Sequence, residues 1–329
     1  MSTERNPFHA FIRLEQPRLG SRVTFASDEF FAAKERLIDP AEPTFIDDKY
    51  DDHGKWMDGW ESRRRRTPGH DHCVIRLGVP GIIRGLDIDT SYFTGNYPPQ
   101  ASIDACVSDA DVPEDGWSEL LAKTDLSGDA HQLIPIQNER SWTHLRLNIF
   151  PDGGIARLRV FGEVQPGEPG EEGVMDLVAL RHGGRALSCS DEHYGSMHNL
   201  NVPGRGINMG DGWETARRRG PGNDWVIFAL GRPGTIERVE IDTAHFKGNY
   251  PDRVSVEVAS FASNEEAGND SDIWRTLLPE SKLAMDQQHF FESELQAVGS
   301  LTHARVSIYP DGGISRLRLF GRASRGKQE

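Results

Sequence analysis

The sequence predicts an all-β protein built from two tandem β-sandwiches of jelly-roll type. Three observations carry that prediction: the chain is written twice, its apolar residues recur at every second position, and glycine and proline punctuate it throughout. The 34 glycines and 19 prolines in 329 residues make up about a sixth of the chain, as expected for many short strands joined by turns.

The repeat decides the architecture. Residues 58–98 align without a gap on 211–251, with more than half of the positions identical. Further on, NIFPDGGIARLRVFG (148–162) matches SIYPDGGISRLRLFG (307–321), and upstream RLGSRVTFASDE from Arg18 matches RHGGRALSCSDE from Arg181. The spacing gives a unit of about 145 residues, large enough to bury its own core. The expected organisation is an N-terminal segment (1–17), a first repeat (18–164), a linker (165–176), a second repeat (177–321) and a tail (322–329). The linker, QPGEPGEEGVMD, is too rich in Pro, Gly and Glu to pack.

Within each unit the apolar period is two. Val254, Val256 and Val258 alternate with Ser255 and Glu257, and Leu145, Leu147 and Ile149 alternate with Arg146 and Asn148. Such patterns mark antiparallel strands with one face buried. By the same rule Arg157, Arg159, Arg316 and Arg318 should project from a wet face, with Arg146 and Arg305. Pro-Asp-Gly-Gly at 151–154 and 310–313 has the turn chemistry of a hairpin loop. Helix is expected only in short pieces, at 117–123 (WSELLAK) and 30–37.

Acidic residues outnumber basic ones, 51 to 37, for a net charge of −14. That balance excludes nucleic acid as the main partner. No run is apolar enough to span a bilayer, and residues 1–16 lack the core of a signal peptide, so a soluble, cytoplasmic protein without a membrane partner is expected. Three cysteines at unrelated spacings support neither a disulfide framework nor a CxxC site. His70-Asp71-His72 has the form of a metal-ligand pair, but the second copy carries Asn223-Asp224-Trp225, and no HExxH is present. No metal and no cofactor is therefore expected, and the absence of Walker A and GxSxG motifs removes nucleotide and serine-hydrolase chemistry.

Two segments present in both copies carry side chains suited to chemistry. The first is Asp-Gly-Trp-Glu followed by arginines: Asp58 and Glu61 with Arg64 and Arg66, and Asp211 and Glu214 with Arg217 and Arg219. Carboxylates beside guanidinium forks can bind an anion and move a proton. They can equally be the ion pairs of a structural loop. The second is Gly-Asn-Tyr-Pro, with Asn96 and Tyr97 in one copy and Asn249 and Tyr250 in the other, preceded by Tyr92 and Thr94 or by His245 and Lys247. As structure it is a turn. As function, an amide and a phenol at a loop tip suit a urea-like group.

These duplicated blocks resemble the allantoicase family, most clearly in SDEHYGSMHNLNVPGRGINMGDGWETARRRGPGNDW (190–225) and the paired IDT…FxGNYP segments. The resemblance runs from Arg18 to Gly321. It implies a duplicated jelly roll of the galactose-binding-like type. It also implies hydrolysis of allantoate to ureidoglycolate and urea in purine (allantoin) degradation, and assembly into a homo-oligomer, a trimer-based hexamer being one arrangement. In that setting Arg217 or Arg219 clamps the substrate carboxylate, Asn249 and Tyr250 orient a ureido arm, and His245 and Lys247 join the binding set. Glu214 or Asp211 protonates the departing urea nitrogen, and a further carboxylate activates water. Glu61, Asp58, Arg64, Arg66, Asn96 and Tyr97 form the first-copy counterpart. Because the copies differ at Tyr92 against His245 and Thr94 against Lys247, they are expected to play unequal parts, in a pocket completed by oligomerisation. The rival reading is a tandem jelly-roll module that binds a sugar or other polar ligand without catalysis, and a purely structural protein is the third.

Overall fold

Period-two alternation becomes two sets of antiparallel strands in the computed structural model, which describes residues 6–8, 11–165 and 173–324. Most of the linker expected at 165–176, and parts of the two terminal segments, lie outside the described residues. The chain divides into two units at Gln165/Pro166. The described residues contain no α-helix, only five short 3-10 turns, and no helix long and apolar enough to cross a membrane.

The first unit contains β1 (Ile12–Arg13), β2 (Arg22–Ala26), β3 (Tyr50–Asp51), β4 (Gly54–Lys55), β5 (Trp60–Glu61), β6 (Asp71–Asp89), β7 (Gln100–Cys106), β8 (Ser118–Asp125), β9 (His131–Pro135), β10 (Ser141–Phe150), β11 (Gly154–Ile155) and β12 (Arg157–Val164). The strand order is β1-β12-β6-β10-β7-β8, with β2 and β9 also on β6. Strand β6 organises the unit because its two halves have different neighbours. Val74–Arg76 lies between β2 and β10, whereas Gly85–Asp89 lies between β9 and β12. The second unit repeats this plan with β13 (Met175–Asp176), β14 (Arg185–Cys189), β15 (Trp213–Glu214), β16 (Asp224–Asp242), β17 (Arg253–Ala259), β18 (Arg275–Lys282), β19 (Gln288–Phe291), β20 (Leu301–Tyr309), β21 (Gly313–Ile314) and β22 (Arg316–Ala323). Its core is formed by the alternating apolar residues, Val254, Val256 and Val258 among them, together with Trp213 and Phe228.

Three local expectations are corrected. Residues 118–125 form strand β8, not a helix, because edge pairing with β7 (Ile103 opposite Leu121) overrides the helix propensity of Leu, Glu and Lys. The corresponding β18 contains Pro279, which a helix interior would not accommodate. At 30–37 only Lys34–Ile38 winds, as a 3-10 turn. Pro-Asp-Gly-Gly does not close a hairpin: β10 runs along residues 71–76 of β6 and β12 along 83–89, the two meeting β6 together only at Gly81 and Ile82 and not pairing with each other, so residues 151–154 form an arch across the sandwich. The three cysteines are free.

The fourth correction concerns the arginines after the arch. Arg157, Arg159 and Arg316 are 1%, 5% and 2% exposed, and Arg318 is largely covered. Strand alternation places them on the outer face, but the segment leading to β5 or β15 folds over that face. A covering loop carries backbone carbonyls that need donors, and the guanidinium groups supply them. Arg157 Nε donates to Ala41 O at 3.0 Å and Arg159 Nη2 to the same oxygen at 2.9 Å. Arg316 Nε donates to Gly204 O at 3.1 Å and Arg318 Nη2 to Val202 O at 2.6 Å. Arg146 and Arg305, on the other sheet face, are half-buried against Asp104 and Glu257.

Because Arg316 and its partner Asp211 are both buried, the pair can be tested directly. Arg316→Met should cost about 3–5 kcal/mol, since it leaves an uncompensated carboxylate inside. Adding Asp211→Leu should recover much of that loss. Urea unfolding of the single and double variants measures both, and an unchanged midpoint in Arg316→Met would show that the pair holds nothing.

Candidate active site

The Asp-Gly-Trp-Glu segment is fastened at both ends before its glutamate is presented. Asp58 Oδ2 receives Arg157 Nη2 at 2.9 Å, and Asp211 Oδ2 receives Arg316 Nη2 at 2.8 Å. Trp60 and Trp213 are fully buried, and each donates its indole N–H at 2.8 Å, to Asp28 O and Asp191 O respectively. The next residue, Glu61 or Glu214, sits in a two-residue strand paired with the glycine that ends the Pro-Asp-Gly-Gly arch.

The arch and the Gly-Asn-Tyr-Pro turn lock together around that glutamate. Gly153 adopts φ +140°, and a Cβ there would stand 2.6 Å from the backbone of Pro98. Only glycine fits both constraints. Gly154 N donates to Asn96 O at 2.8 Å, and Gly313 N to Asn249 O at 2.8 Å. Ser62 N donates to Gly153 O at 3.1 Å. The result brings Asn96 Nδ2 within 2.7 Å of Glu61 Oε1. Asn249 likewise donates to Glu214.

In the first unit these loops line an open cavity of about 340 Å³, whose lining includes Glu61, Arg64, Asn96, Tyr97 and Asp152. Glu61 is 9% exposed. Burial pushes its pKa above the usual carboxylate range, and the hydrogen bond from Asn96 opposes that only in part. Asp58 differs. Burial acts to raise its pKa, but hydrogen bonds from Arg157 and Thr44 outweigh burial and hold it below the ordinary value.

The arginine run divides by pairing. Arg63 pairs with Asp28 at 2.6 Å and Arg65 with Asp71 at 2.6 Å. Arg218 pairs with Asp224 in the same way. Arg64, Arg66, Arg217 and Arg219 are exposed and form no ion pair among the described residues. Of these Arg64 lines the cavity.

Of the residues singled out in the sequence, the structure brings Glu61, Arg64, Asn96 and Tyr97 to one cavity, and joins Glu214 to Asn249. Asp58 and Asp211 are engaged by buried arginines instead. Tyr250 is half-buried against the second core. His245 bonds through Nε2 to Gly206 O at 2.8 Å, and the exposed Lys247 stands 3.5 Å from Asp286. Sequence reasoning missed Asp152, dismissed as turn chemistry, and the buried arginines Arg157 and Arg316. Their signal was present: each copy places an acid in the arch and an arginine shortly after it. Among the described residues no group of three or more His, Cys, Asp or Glu side chains converges as a metal site would require.

The family model for the allantoicase repeat matches residues 12–165 and again 175–324. A protein of Burkholderia pseudomallei (strain K96243) named probable allantoicase 2 is 55% identical over 317 residues, 94% of either chain. One of Pseudomonas aeruginosa (strain LESB58) named probable allantoicase is 55% identical over 332 residues, covering 98% of this chain and 99% of that one. The crystal structure of allantoicase from Saccharomyces cerevisiae is 36% identical, superposes with a TM-score of 0.79, and covers 94% of this chain and 93% of its own. Two matched repeats and relatives alike over nearly the full length place this chain in the allantoicase family.

Proposed function

We propose that the chain hydrolyses a carbon–nitrogen bond of allantoate, releasing urea and ureidoglycolate, and that the cavity of the first repeat carries the reaction. The observation behind this reading is a nine-tenths buried carboxyl, Glu61, sharing one cavity with an amide and a guanidinium that forms no ion pair among the described residues. Relatives named probable allantoicases, alike over nearly the full length, support hydrolysis over the alternative of a binding module without turnover.

Allantoate is a small carboxylate whose central carbon carries two ureido groups. Arg64 meets the carboxylate with its planar fork. Asn96, whose N–H already reaches Glu61, offers its carbonyl to a ureido N–H, and Tyr97 adds a hydroxyl. A neutral Glu61 protonates the nitrogen that leaves as urea, and its raised pKa keeps that proton available closer to neutral pH. Asp58 and Asp211 position their loops. Glu214, Asn249, Tyr250 and Arg217 repeat the frame in the second unit, which takes no part in the chemistry of the first-repeat cavity. Arg66, Arg219 and Lys247 supply local positive charge on an acidic protein, and His245 shapes the second loop. A reducing cytoplasm suits three free cysteines. Exposed Phe45, Ile46 and Tyr50 suit burial in a homo-oligomer.

The direct test is urea release from allantoate by the purified chain. Glu61→Gln should lower kcat by about 10²- to 10⁴-fold with little change in KM, whereas Arg64→Ala should chiefly raise KM. Wild-type constants for both variants would remove this cavity from the reaction.

Glu61 should also cost stability. Its folded pKa lies above its unfolded one, so the penalty is absent below the unfolded value and fully present above the folded value. Thermal unfolding should therefore show Glu61→Gln more stable than wild type at neutral pH, with the gap closing as the medium is acidified toward pH ~3. A gap that widened on acidification would contradict a buried, reluctantly ionised carboxyl.

Dialysis against a strong chelator is expected to leave turnover unchanged. Loss of activity that one divalent ion restores would reveal a metal held by fewer protein ligands than a structural site needs.

A further inference from the structure

The reaction needs a base as well as an acid, and the cavity contains a second carboxylate. Among its described lining residues the carboxylates are Glu61 and Asp152. The other acids that approach these loops do not line the cavity and each pairs with an arginine: Asp58 with Arg157, Asp28 with Arg63, and Asp71, through Oδ1, with Arg65. Asp152 is half-buried. Its Oδ2 accepts the backbone N–H of Arg65 at 2.8 Å, and its Oδ1 has no partner among the described residues. The carboxylate is thus anchored through one oxygen, with the other available.

Its position relative to Glu61 is fixed by the backbone. Ser62, next to Glu61, donates its N–H to Gly153 O at 3.1 Å and accepts Gly153 N–H through Oγ at 3.3 Å. Gly153 follows Asp152 directly. Two carboxyls on adjoining, mutually bonded loops, one buried and one open to water, are the arrangement that a proton donor and a water-activating base require.

We propose that Asp152 is the base that takes a proton from the attacking water, an assignment that rests on the reading of this cavity as the site of allantoate hydrolysis. The bond between the central carbon and one ureido nitrogen breaks, its electron pair goes to that nitrogen, and the proton of Glu61 joins it to complete urea. The remaining ureido nitrogen lends its lone pair and forms a carbon–nitrogen double bond. Water adds through oxygen to the central carbon as its proton passes to Asp152, and the π pair returns to nitrogen. Exchange with solvent moves the proton from Asp152 back to Glu61, so one water is consumed and both carboxyls are restored.

Asp152→Asn separates this role from a structural one, because the asparagine oxygen still accepts the Arg65 N–H while the basicity is gone. Its kcat should fall about 10²- to 10⁴-fold with KM little changed. Asp311→Asn is the control, since Asp311 accepts Arg218 N–H in the second repeat at 2.9 Å, and its kcat should stay within about twofold of wild type. In Asp152→Ala, added formate should restore urea release in a saturable manner, which no loop-holding role predicts. A loss below about threefold in Asp152→Asn, an equal loss in Asp311→Asn, or no response to formate overturns the assignment. Absence of urea release from the wild-type chain would instead overturn the underlying reading of the cavity, and the base with it.

Discussion

A guanidinium held beneath the loop that leads into β5 or β15 is the contact on which each unit's cluster of duplicated loops depends. Arg157 gathers Asp58 Oδ2, Asp58 O, Ala156 O and Ala41 O onto one side chain, and Arg316 does the same with Asp211, Ser315 and Gly204. A buried charge of this kind is tolerated only when its donors are met, so the loop must lie where its carbonyls reach the arginine. With the loop so placed, Trp60 or Trp213 enters the interior and the following glutamate is directed toward the Gly-Asn-Tyr-Pro turn. The aspartate of Asp-Gly-Trp-Glu is therefore the fastening and the glutamate is what it holds in position.

The same scaffold produces two glutamates in different surroundings. Glu61 is almost covered, whereas Glu214 is half-buried, although both accept a hydrogen bond from the asparagine of the adjoining turn. The neighbouring loops also differ. In the first unit the segment from 39 to 58 is long enough to carry β3 and β4 and to set Phe45 against Tyr92. In the second the shorter connection reaches His245 through Gly206. Equivalent motifs in unequal loops thus leave the two carboxyls unequally covered.

Much of the architecture was legible in the sequence because both signals that define it are periodic. Self-similarity over long ungapped stretches shows duplication whatever the fold, and period-two alternation distinguishes strand from helix. The errors arose where a local pattern has two physical solutions. Arg157 and Arg159 alternate with leucine whether the outer face meets water or a covering loop. The Leu- and Glu-rich segment at 118–125 suits a helix until an open sheet edge offers pairing. Pro-Asp-Gly-Gly has turn chemistry whether it closes a hairpin or arches between sheets.

The sequence by itself determined that this is a duplicated, strand-built protein with acid, arginine, asparagine and tyrosine in matching places in both copies, because composition, repeat and alternation are properties of the chain's order. Tertiary structure decided which of those side chains share a cavity. Asp58 and Glu61 are three residues apart, yet one faces a buried arginine and the other the cavity. Arg64 and Arg65 are adjacent, yet only Arg65 is bound to an aspartate, Asp71. Asp152 joins Glu61 from a segment about ninety residues away. The physical reason is that hydrogen-bond satisfaction beneath a loop is settled by which groups come within about 3 Å in the folded chain, and sequence spacing carries no record of that distance.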